Sequence, residues 1–175
     1  NKGGNGTDGG GIAALLDKNT RTFLHTRYNG AAVNEDHHIL VQLADKDCDA
    51  EFDFHYACRD NNGGPHPTEI RVEQSVDGTH FTPIHTFTKD ADTLPQLSQK
   101  YWHSPKLAPQ GAYRYLRFVV PKSSNTKQHS GHYFFSMSEF GLRQYEYRTE
   151  VNVSKKEELT CINDSLVIDA ELSKV

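Results

Sequence analysis

The first residues whose types and spacing suit chemistry are Asp17, Asn19 and Thr22. Within a short run they supply a carboxylate, an amide oxygen and a hydroxyl. In a tight non-helical loop these oxygens can surround one point, and hard cations such as Ca²⁺ take six to eight oxygen ligands. The same run also fits a helix end followed by an Asx turn, which needs no metal. Spacing alone leaves both interpretations open and favours the turn.

The ten histidines raise the question of a metal hydrolase. His37 and His38 are adjacent and would point to opposite faces of a strand, which is wrong for joint ligation. The other histidines show neither the H-E-x-x-H nor the H-x-x-E-H spacing. No G-x-S-x-G turn frames a serine nucleophile, and no cysteine lies in a reactive signature. Paired carboxylates for glycoside cleavage stay open because they meet only in the folded chain, but the sequence favours a non-catalytic protein.

Composition excludes two further classes of partner. The chain has 175 residues, which suits one domain, and a formal net charge of −4. A nucleic-acid or anionic-lipid binder needs a positive face that this balance does not show, so we expect no nucleic-acid partner. No apolar run approaches the roughly 18 residues of a membrane span.

The three cysteines are Cys48, Cys58 and Cys161. Their odd number, their wide spacings and the lack of a C-x-x-C pair predict neither a disulfide framework nor a structural zinc site. Cys48 and Cys58 could still pair across adjacent strands, although we expect buried thiols. Cysteine usage does not indicate a cellular compartment.

The elements that must position these residues are strands, because the hydrophobic period is two. Segment 51–56 alternates strictly, with Phe52, Phe54 and Tyr56 on one face, and segment 69–73 does the same. Glycine, proline and asparagine clusters separate the runs. About eight strands predict an all-β fold, an antiparallel β-sandwich or jelly roll. The other predicted elements are a helical turn at 12–16 and strands at 38–43, 81–88, 113–120 and 133–147, the last with a bend at Gly141.

The two ends of the chain differ from the middle in composition. Residues 1–11 are rich in glycine and contain no large apolar side chain, which predicts a flexible linker before a folded part that begins near Ile12. Residues 148–175 carry a charge cluster and then a short apolar run. We expect a connector and the start of a further domain, so the chain would be attached to other domains of a larger protein.

Five blocks, in order along the chain, resemble the discoidin family, also called the coagulation factor 5/8 type C family. They spread over residues 12–147. The resemblance implies a galactose-binding-like β-sandwich whose loops at one end bind ligands. Among bacterial members the chain is most similar to family 32 carbohydrate-binding modules, which accompany glycoside hydrolases and surface lipoproteins. The blocks are the Asp17–Asn19–Thr22 loop, 38–43, 75–81, 113–118 and 138–140.

The resemblance implies a structural Ca²⁺ site, held by the aspartate loop and by a glutamate of the last strand. A divalent ion would resolve the repulsion between two such carboxylates. The family often has glycine where Lys18 stands, which implies strain if this position needs a positive φ. The matching residues are Asp17, Asn19, Thr22 and Glu139, with backbone carbonyls of Leu16 and Ser138 as further ligands.

The resemblance also implies a sugar site on the loops. Arg and Asn side chains form planar forks that bind pairs of hydroxyls, and an aromatic face covers the C–H patch of a pyranose. From the residues alone, Arg59 and Asp60 also fit a surface ion pair, and 61–64 a simple turn. The matching residues are His25, Arg59 with Asn61 or Asn62, and one of Tyr133 and Phe134.

Two other aromatic and turn features have structural explanations. Trp102, beside Tyr101, could stack on a ligand, but a tryptophan entering a strand fits the core better. Asp77-Gly78 is a hairpin turn signal. Eukaryotic relatives insert hydrophobic loops into phosphatidylserine membranes, and the lack of a basic surround here argues against membrane insertion.

The sequence therefore predicts a non-catalytic module that binds a galactoside or a related glycan and targets an attached enzyme or surface complex to it. We expect it to be monomeric as a module and to work outside the cell, in the periplasm or at the cell surface. The alternative is a protein-interaction or adhesion domain of the same fold with no sugar site. A polar pocket with an exposed aromatic favours sugar, and a flat apolar patch favours protein.

Overall fold

A computed structural model describes residues 10–44, 48–59, 64–125 and 127–145. Residues 1–145 and 146–175 are separate compact units. In the second unit the structure describes only the pairing of Cys161–Ile162 with Ser165–Leu166. Most of the predicted linker and connector lies outside the described residues. Within the described part, no helix is long and apolar enough to cross a membrane.

Most of the regular secondary structure described in the first unit is β-strand. Its helical elements are a 3₁₀ turn at Gly11–Leu15 and one turn of α-helix, α1, at Lys89–Asp92. The strands are β1 (Leu24–His25), β2 (His38–Gln42), β3 (Glu51–Ala57), β4 (Pro67–Ser75), β5 (Thr82–Thr88), β6 (Tyr101–His103), β7 (Tyr115–Ser123), β8 (Gln128–His129), β9 (His132–Tyr133), β10 (Ser136–Met137) and β11 (Glu139–Tyr145).

Two antiparallel sheets form the sandwich. One has the order β2-β7-β4-β5 and the other the order β11-β3-β6. Two short ladders, β1-β10 and β8-β9, lie outside these sheets. The prediction of an antiparallel β-sandwich is confirmed. The alternating segments that indicated strands at 51–56 and 69–73 lie in β3 and β4.

The core lies between the two sheets and is largely aromatic. Phe54 of β3 packs against Phe118 of β7, with ring centroids 4.7 Å apart, and against Phe87 of β5 at 5.8 Å. Trp102 contacts Phe54 and Phe87, and its indole N–H donates to the carbonyl of Asp92 at 2.9 Å. Trp102 therefore belongs to the core, as the sequence indicated. Burial of such rings is the main stabilising term of the sandwich.

The predicted bend at Gly141 is wrong, because Gly141 lies inside the continuous strand β11. The chain turns earlier, between β9, β10 and β11. At Gly141 the ring of His55 lies against the backbone, so an added Cβ would be only 2.2 Å from its Cε1 atom. Glycine here makes room for a close side chain, which is a common reason for glycine inside a strand.

Cys48 and Cys58 are free thiols, which settles the pairing that the sequence left open. Cys58 is fully buried, and burial raises the pKa of its thiol to about 12. Its sulfur donates to the carbonyl of Pro95. A thiol in this state packs as a small apolar side chain and is unreactive.

His37 is a second buried group with an altered proton affinity. Its side chain is fully buried, just before β2, and neither ring nitrogen has a hydrogen-bond partner in the part of the chain that the structure describes. Burial is the largest cause that lowers the pKa of this imidazole to about 4, and nearby His132 and His129 lower it further. The folded protein therefore holds His37 neutral at pH 7.

Candidate functional site

The Asp17 turn links the 3₁₀ turn to β1. One carboxylate oxygen of Asp17 accepts the backbone N–H of Asn19 at 2.9 Å, and the other accepts the hydroxyl of Thr22 at 2.6 Å. The N–H of Thr22 donates to the carbonyl of Asn19 at 3.0 Å. Lys18 adopts the left-handed conformation, with φ 60. Residues other than Gly, Asn and Asp rarely do so. This agrees with the glycine of the family pattern.

Glu139, the first residue of β11, faces this turn from a distant part of the chain. It is 6% exposed, and its Oε1 has no hydrogen-bond partner among the described residues. Burial and the negative charge of Asp17 raise the pKa of the Glu139 carboxyl, while the N–H of Asn19 and the charge of Lys18 lower it. Two carboxylates are thus close together, and one of them is buried with its Oε1 atom unpartnered among the described residues.

These residues fit a bound cation. A buried, unpartnered carboxylate is costly, and a second carboxylate nearby adds repulsion. A divalent ion would remove both penalties, and a donor set of oxygens alone suits Ca²⁺. Among the described residues, no group of three or more His, Cys, Asp and Glu side chains could hold a metal. Beyond the two carboxylates, the ligands would therefore have to be amide, hydroxyl or carbonyl oxygens.

The remaining predicted metal residues flank this pair in the chain. Leu16 directly precedes Asp17, and its side chain is 70% exposed. Ser138 directly precedes Glu139 and is fully buried. Its N–H donates to the carbonyl of Ala57, and its hydroxyl to the carbonyl of Cys58, both at 2.9 Å. The structure thus brings together the side chains of Asp17, Thr22 and Glu139. Asn19 joins them through its backbone N–H, while its side-chain oxygen accepts the N–H of Arg21 at 3.2 Å.

Arg59 follows the end of β3 and stacks on an aromatic ring. Its guanidinium carbon lies 3.7 Å from the ring centroid of Phe23, the residue after Thr22. Such stacking holds the planar guanidinium in one orientation. The adjacent predicted residues Asn61 and Asn62 lie outside the described residues.

His25 belongs to a second group of rings, here called the aromatic cluster, formed with Tyr28 and Phe134. The ring of His25 lies 4.8 Å from Tyr28 and 5.6 Å from Phe134, measured between centroids. His25 and Phe134 are each 8% exposed, whereas Tyr28 is only half-buried. His25 Nδ1 lies 2.7 Å from the carbonyl of Thr26. Tyr28 is therefore the most exposed ring of the cluster.

Tyr133 lies in β9, where it pairs with Gln128 and is near the ammonium group of Lys122. Of the two aromatic candidates that the resemblance implied, only Phe134 is in the aromatic cluster. The side chain of Tyr133 is half-buried.

Backbone hydrogen bonds join the segments that carry these residues. The N–H of Thr26 donates to the carbonyl of Phe135, and the N–H of Ser136 to the carbonyl of Pro65, both at 2.9 Å. Ser138 is bonded to the end of β3, next to Arg59. The segments 22–28, 57–59, 64–66 and 134–139 are therefore connected around β1 and β10.

Sequence reasoning missed Phe23 and Tyr28. Phe23 directly precedes β1, two residues before His25. A period of two places these side chains on one face, so the sequence did contain a signal for Phe23. The contact between Phe23 and Arg59 joins positions far apart in the chain, and nothing in local spacing predicts it. Tyr28 follows β1 in a loop and gave no periodic signal.

No protein-family model and no curated protein matches this chain. Solved structures do. A family 32 carbohydrate-binding module from a family 31 glycoside hydrolase of Clostridium perfringens superposes with a TM-score of 0.56 at 22% identity, covering 75% of this chain and 81% of that one. The chain has the fold of family 32 carbohydrate-binding modules. This is the discoidin, or galactose-binding-like, fold that the five sequence blocks predicted.

Two further structures have the family 32 fold or one similar to it. A family 32 module of Clostridium perfringens, in complex with GalNAc-β-1,3-galactose, has a TM-score of 0.53 at 17% identity and covers 73% of this chain and 79% of its own. The C-terminal domain of a chitobiase from Bacteroides fragilis has a TM-score of 0.52 at 20% identity, with 81% and 85% covered. At identities of 17% to 22%, the similarity to these three structures shows a shared fold and nothing finer.

Proposed function

We propose that this chain is a non-catalytic carbohydrate-binding module whose ligand is a galactoside or a related glycan. The observation that carries the proposal is the stack of Arg59 on Phe23, close in the fold to the aromatic cluster around His25. The fold adds support, since a structure of the same fold was solved with GalNAc-β-1,3-galactose. The module would concentrate an attached enzyme or surface complex on its glycan, outside the cell, in the periplasm or at the cell surface.

The chemistry of these side chains suits a pyranose. The guanidinium of Arg59 can donate two parallel hydrogen bonds to a pair of neighbouring hydroxyls. Tyr28, the half-buried ring of the aromatic cluster, offers the surface that covers sugar C–H groups. His25, which is only 8% exposed, contributes mainly by packing against the rings of Tyr28 and Phe134. A site this shallow should bind on the order of 0.1–1 mM, and attachment to other binding domains would raise the avidity.

The proposal includes a structural Ca²⁺ held by Asp17 and Glu139, with oxygens of Asn19 and Thr22 and the carbonyls of Leu16 and Ser138 around it. The unpartnered, buried Oε1 of Glu139 supports this assignment. The ion would neutralise the two carboxylates and fix the loop that leads into β1. It has no catalytic role in this proposal.

A glycan array followed by calorimetry tests the function in the presence of Ca²⁺. Wild type should bind galactosides, and Arg59→Ala should weaken binding at least tenfold. Arg59→Lys should also weaken it, because lysine keeps the charge and loses the fork. Arg143→Ala is the matched control, since Arg143 is an exposed arginine that pairs with Asp53 on the outer face of β11.

A wild type that binds no galactoside, N-acetylhexosamine or uronide would refute the proposal. Equal binding by wild type and Arg59→Ala would remove Arg59 from the site.

One observation favours the alternative of a protein-interaction domain. Ile12 and Leu16, on and beside the 3₁₀ turn, are 69% and 70% exposed. Exposed apolar side chains of this size can form part of a protein contact. A silent array, together with a partner whose binding is lost on Leu16→Ser, would support this second function.

A further inference from the structure

The contact between Phe23 and Arg59 joins the two segments that supply the carboxylates of the proposed cation site. The first segment contains Asp17 and Thr22, which are hydrogen-bonded at 2.6 Å. Phe23 is the next residue in the chain. The backbone that carries its ring therefore continues directly from a residue held by the Asp17 carboxylate.

The second segment reaches Arg59 from the other side. Glu139 follows Ser138, whose hydroxyl donates to the carbonyl of Cys58 at 2.9 Å. Arg59 is the residue after Cys58. Phe23 is thus next in the chain to a residue that is hydrogen-bonded to Asp17. Arg59 is next to a residue that is hydrogen-bonded to the neighbour of Glu139.

The stack therefore closes a ring of contacts through both carboxylates. With a cation bound, Asp17 and Glu139 are drawn together, and the backbones of Phe23 and Arg59 are held at stacking distance. Without an ion, repulsion between the two carboxylates would oppose this arrangement of the two segments. A stack that depends on both segments must respond to this change.

We infer that Phe23 is the positioning residue that couples cation binding to the placement of Arg59. This inference rests on the proposed function, because it gives Arg59 its role as the ligand-binding arginine. Coupling between two sites is reciprocal, so weakening the stack must also weaken cation binding. Phe23 itself need not touch either ligand.

The first test measures Ca²⁺ binding alone, by calorimetry on the whole chain. Phe23→Leu should weaken Ca²⁺ affinity by about fivefold or more, the lower end of typical coupling between sites. Phe23→Tyr keeps the ring and should restore the affinity. Phe81→Leu is the matched control, because Arg117 stacks on Phe81 at 3.9 Å in another part of the sandwich. Phe81→Leu should leave Ca²⁺ affinity unchanged.

The second test is read on wild type, and a variant serves only to assign one signal. Addition of Ca²⁺ to wild type should shift the ¹⁵N NMR signal of the Arg59 side-chain N–H group, assigned by its loss in Arg59→Lys. The corresponding Arg117 signal should stay in place. This readout reports on the guanidinium itself, which a purely structural effect of calcium elsewhere would not move.

The outcomes separate the inference from the function. If Ca²⁺ does not bind, if it leaves the Arg59 signal in place, or if Phe23→Leu binds Ca²⁺ like wild type, the coupling is refuted. These results hold whether or not a glycan binds. A wild type that shows the coupling but binds no glycan refutes the proposed function alone.

Discussion

Two turns of this protein are centred on an aspartate, and in each the next residue has a positive φ. Asp17 precedes Lys18, with φ 60, and Asp77 precedes Gly78, with φ 77. In each turn the aspartate accepts the N–H of the residue two positions later, at 2.9 Å for Asp17 and 2.8 Å for Asp77. As local structures, both are Asx turns.

The turns differ in what else their carboxylates meet. Asp77 also accepts the N–H of His80 at 2.8 Å and the hydroxyl of Ser75 at 2.9 Å, and its second oxygen lies 2.7 Å from the His80 ring. Asp17 instead faces the buried carboxylate of Glu139. Turn geometry therefore does not identify a cation site. What supports the proposed cation site is the second carboxylate, whose buried Oε1 lacks a partner among the described residues.

The largest expected effect is that of Ca²⁺ on the Asp17 turn. At a free concentration of about 1,000 times its Kd, Ca²⁺ should raise the free energy of unfolding of wild type by about 4.1 kcal/mol. Glu139→Gln should lose most of this gain. Without Ca²⁺, Glu139→Gln should be more stable than wild type, because the buried charge is gone. Urea denaturation with Ca²⁺ and with a chelator measures all four values.

If wild type is equally stable with Ca²⁺ and with chelator, the Asp17 turn binds no cation. It then does not differ from the Asp77 turn in this respect. Asp77→Asn serves as the control, since its stability should respond to Ca²⁺ as that of wild type does.

The next effect is the loss of stability in acid that His37 causes. It is independent of both turns and must be measured separately from them. His37 has a folded pKa of about 4, below its ordinary 6.5, so the unfolded chain binds a proton more readily between these values. His37 should therefore contribute about 3 kcal/mol above pH 6.5, a contribution lost as the pH falls towards 4. His37→Leu should flatten the stability curve in this window. Equal slopes for wild type and variant would contradict the assignment.

Lys18→Gly tests the backbone difference between the turns. Glycine accepts the left-handed conformation without strain, so the variant should be more stable by about 1 kcal/mol. It also removes a positive charge near Glu139 that competes with a bound cation. Lys18→Ala removes the charge and keeps the strain, so only Lys18→Gly should gain stability in the chelator. Thermal denaturation of the three proteins, with and without Ca²⁺, separates strain from charge.

The smallest effect is expected from the self-contained turn at Asp77. Hydrogen bonds from His80 and Thr79 lower the pKa of Asp77, and Asp77 raises the pKa of His80. The lowered acid pKa stabilises the fold above about pH 4, and the raised histidine pKa stabilises it below about pH 6.5. Asp77→Asn should therefore lower the melting temperature by a few degrees between these limits, equally with Ca²⁺ and with chelator. A drop that depends on Ca²⁺ would refute the distinction between the turns.

The sandwich was predictable because a strand with one buried face must alternate. Phe52, Phe54 and Tyr56 show this pattern, and all three are buried in β3. The bend at Gly141 was mispredicted for a physical reason. A glycine can mark a turn or a close approach, and only the tertiary structure shows that His55 fills the space above it.

The candidate site was predictable where a local motif carries it, and not beyond. The run from Asp17 to Thr22 showed which oxygens are near one another in the chain. Contacts such as Arg59 on Phe23, or the burial of His25 against Phe134, depend on how β1, β3 and β10 meet. Side-chain packing sets how these strands are placed relative to one another, and the spacing of residues in the sequence does not show it.

The ring of His55 over Gly141 has a practical consequence for anyone who modifies this protein. Outward-facing strand positions are the usual choice for attaching a dye, a tether or a cysteine label, because substitutions there are well tolerated. At Gly141 even an alanine would collide with the imidazole. Labels on this sheet are better placed elsewhere, because any side chain at position 141 requires the His55 ring to move.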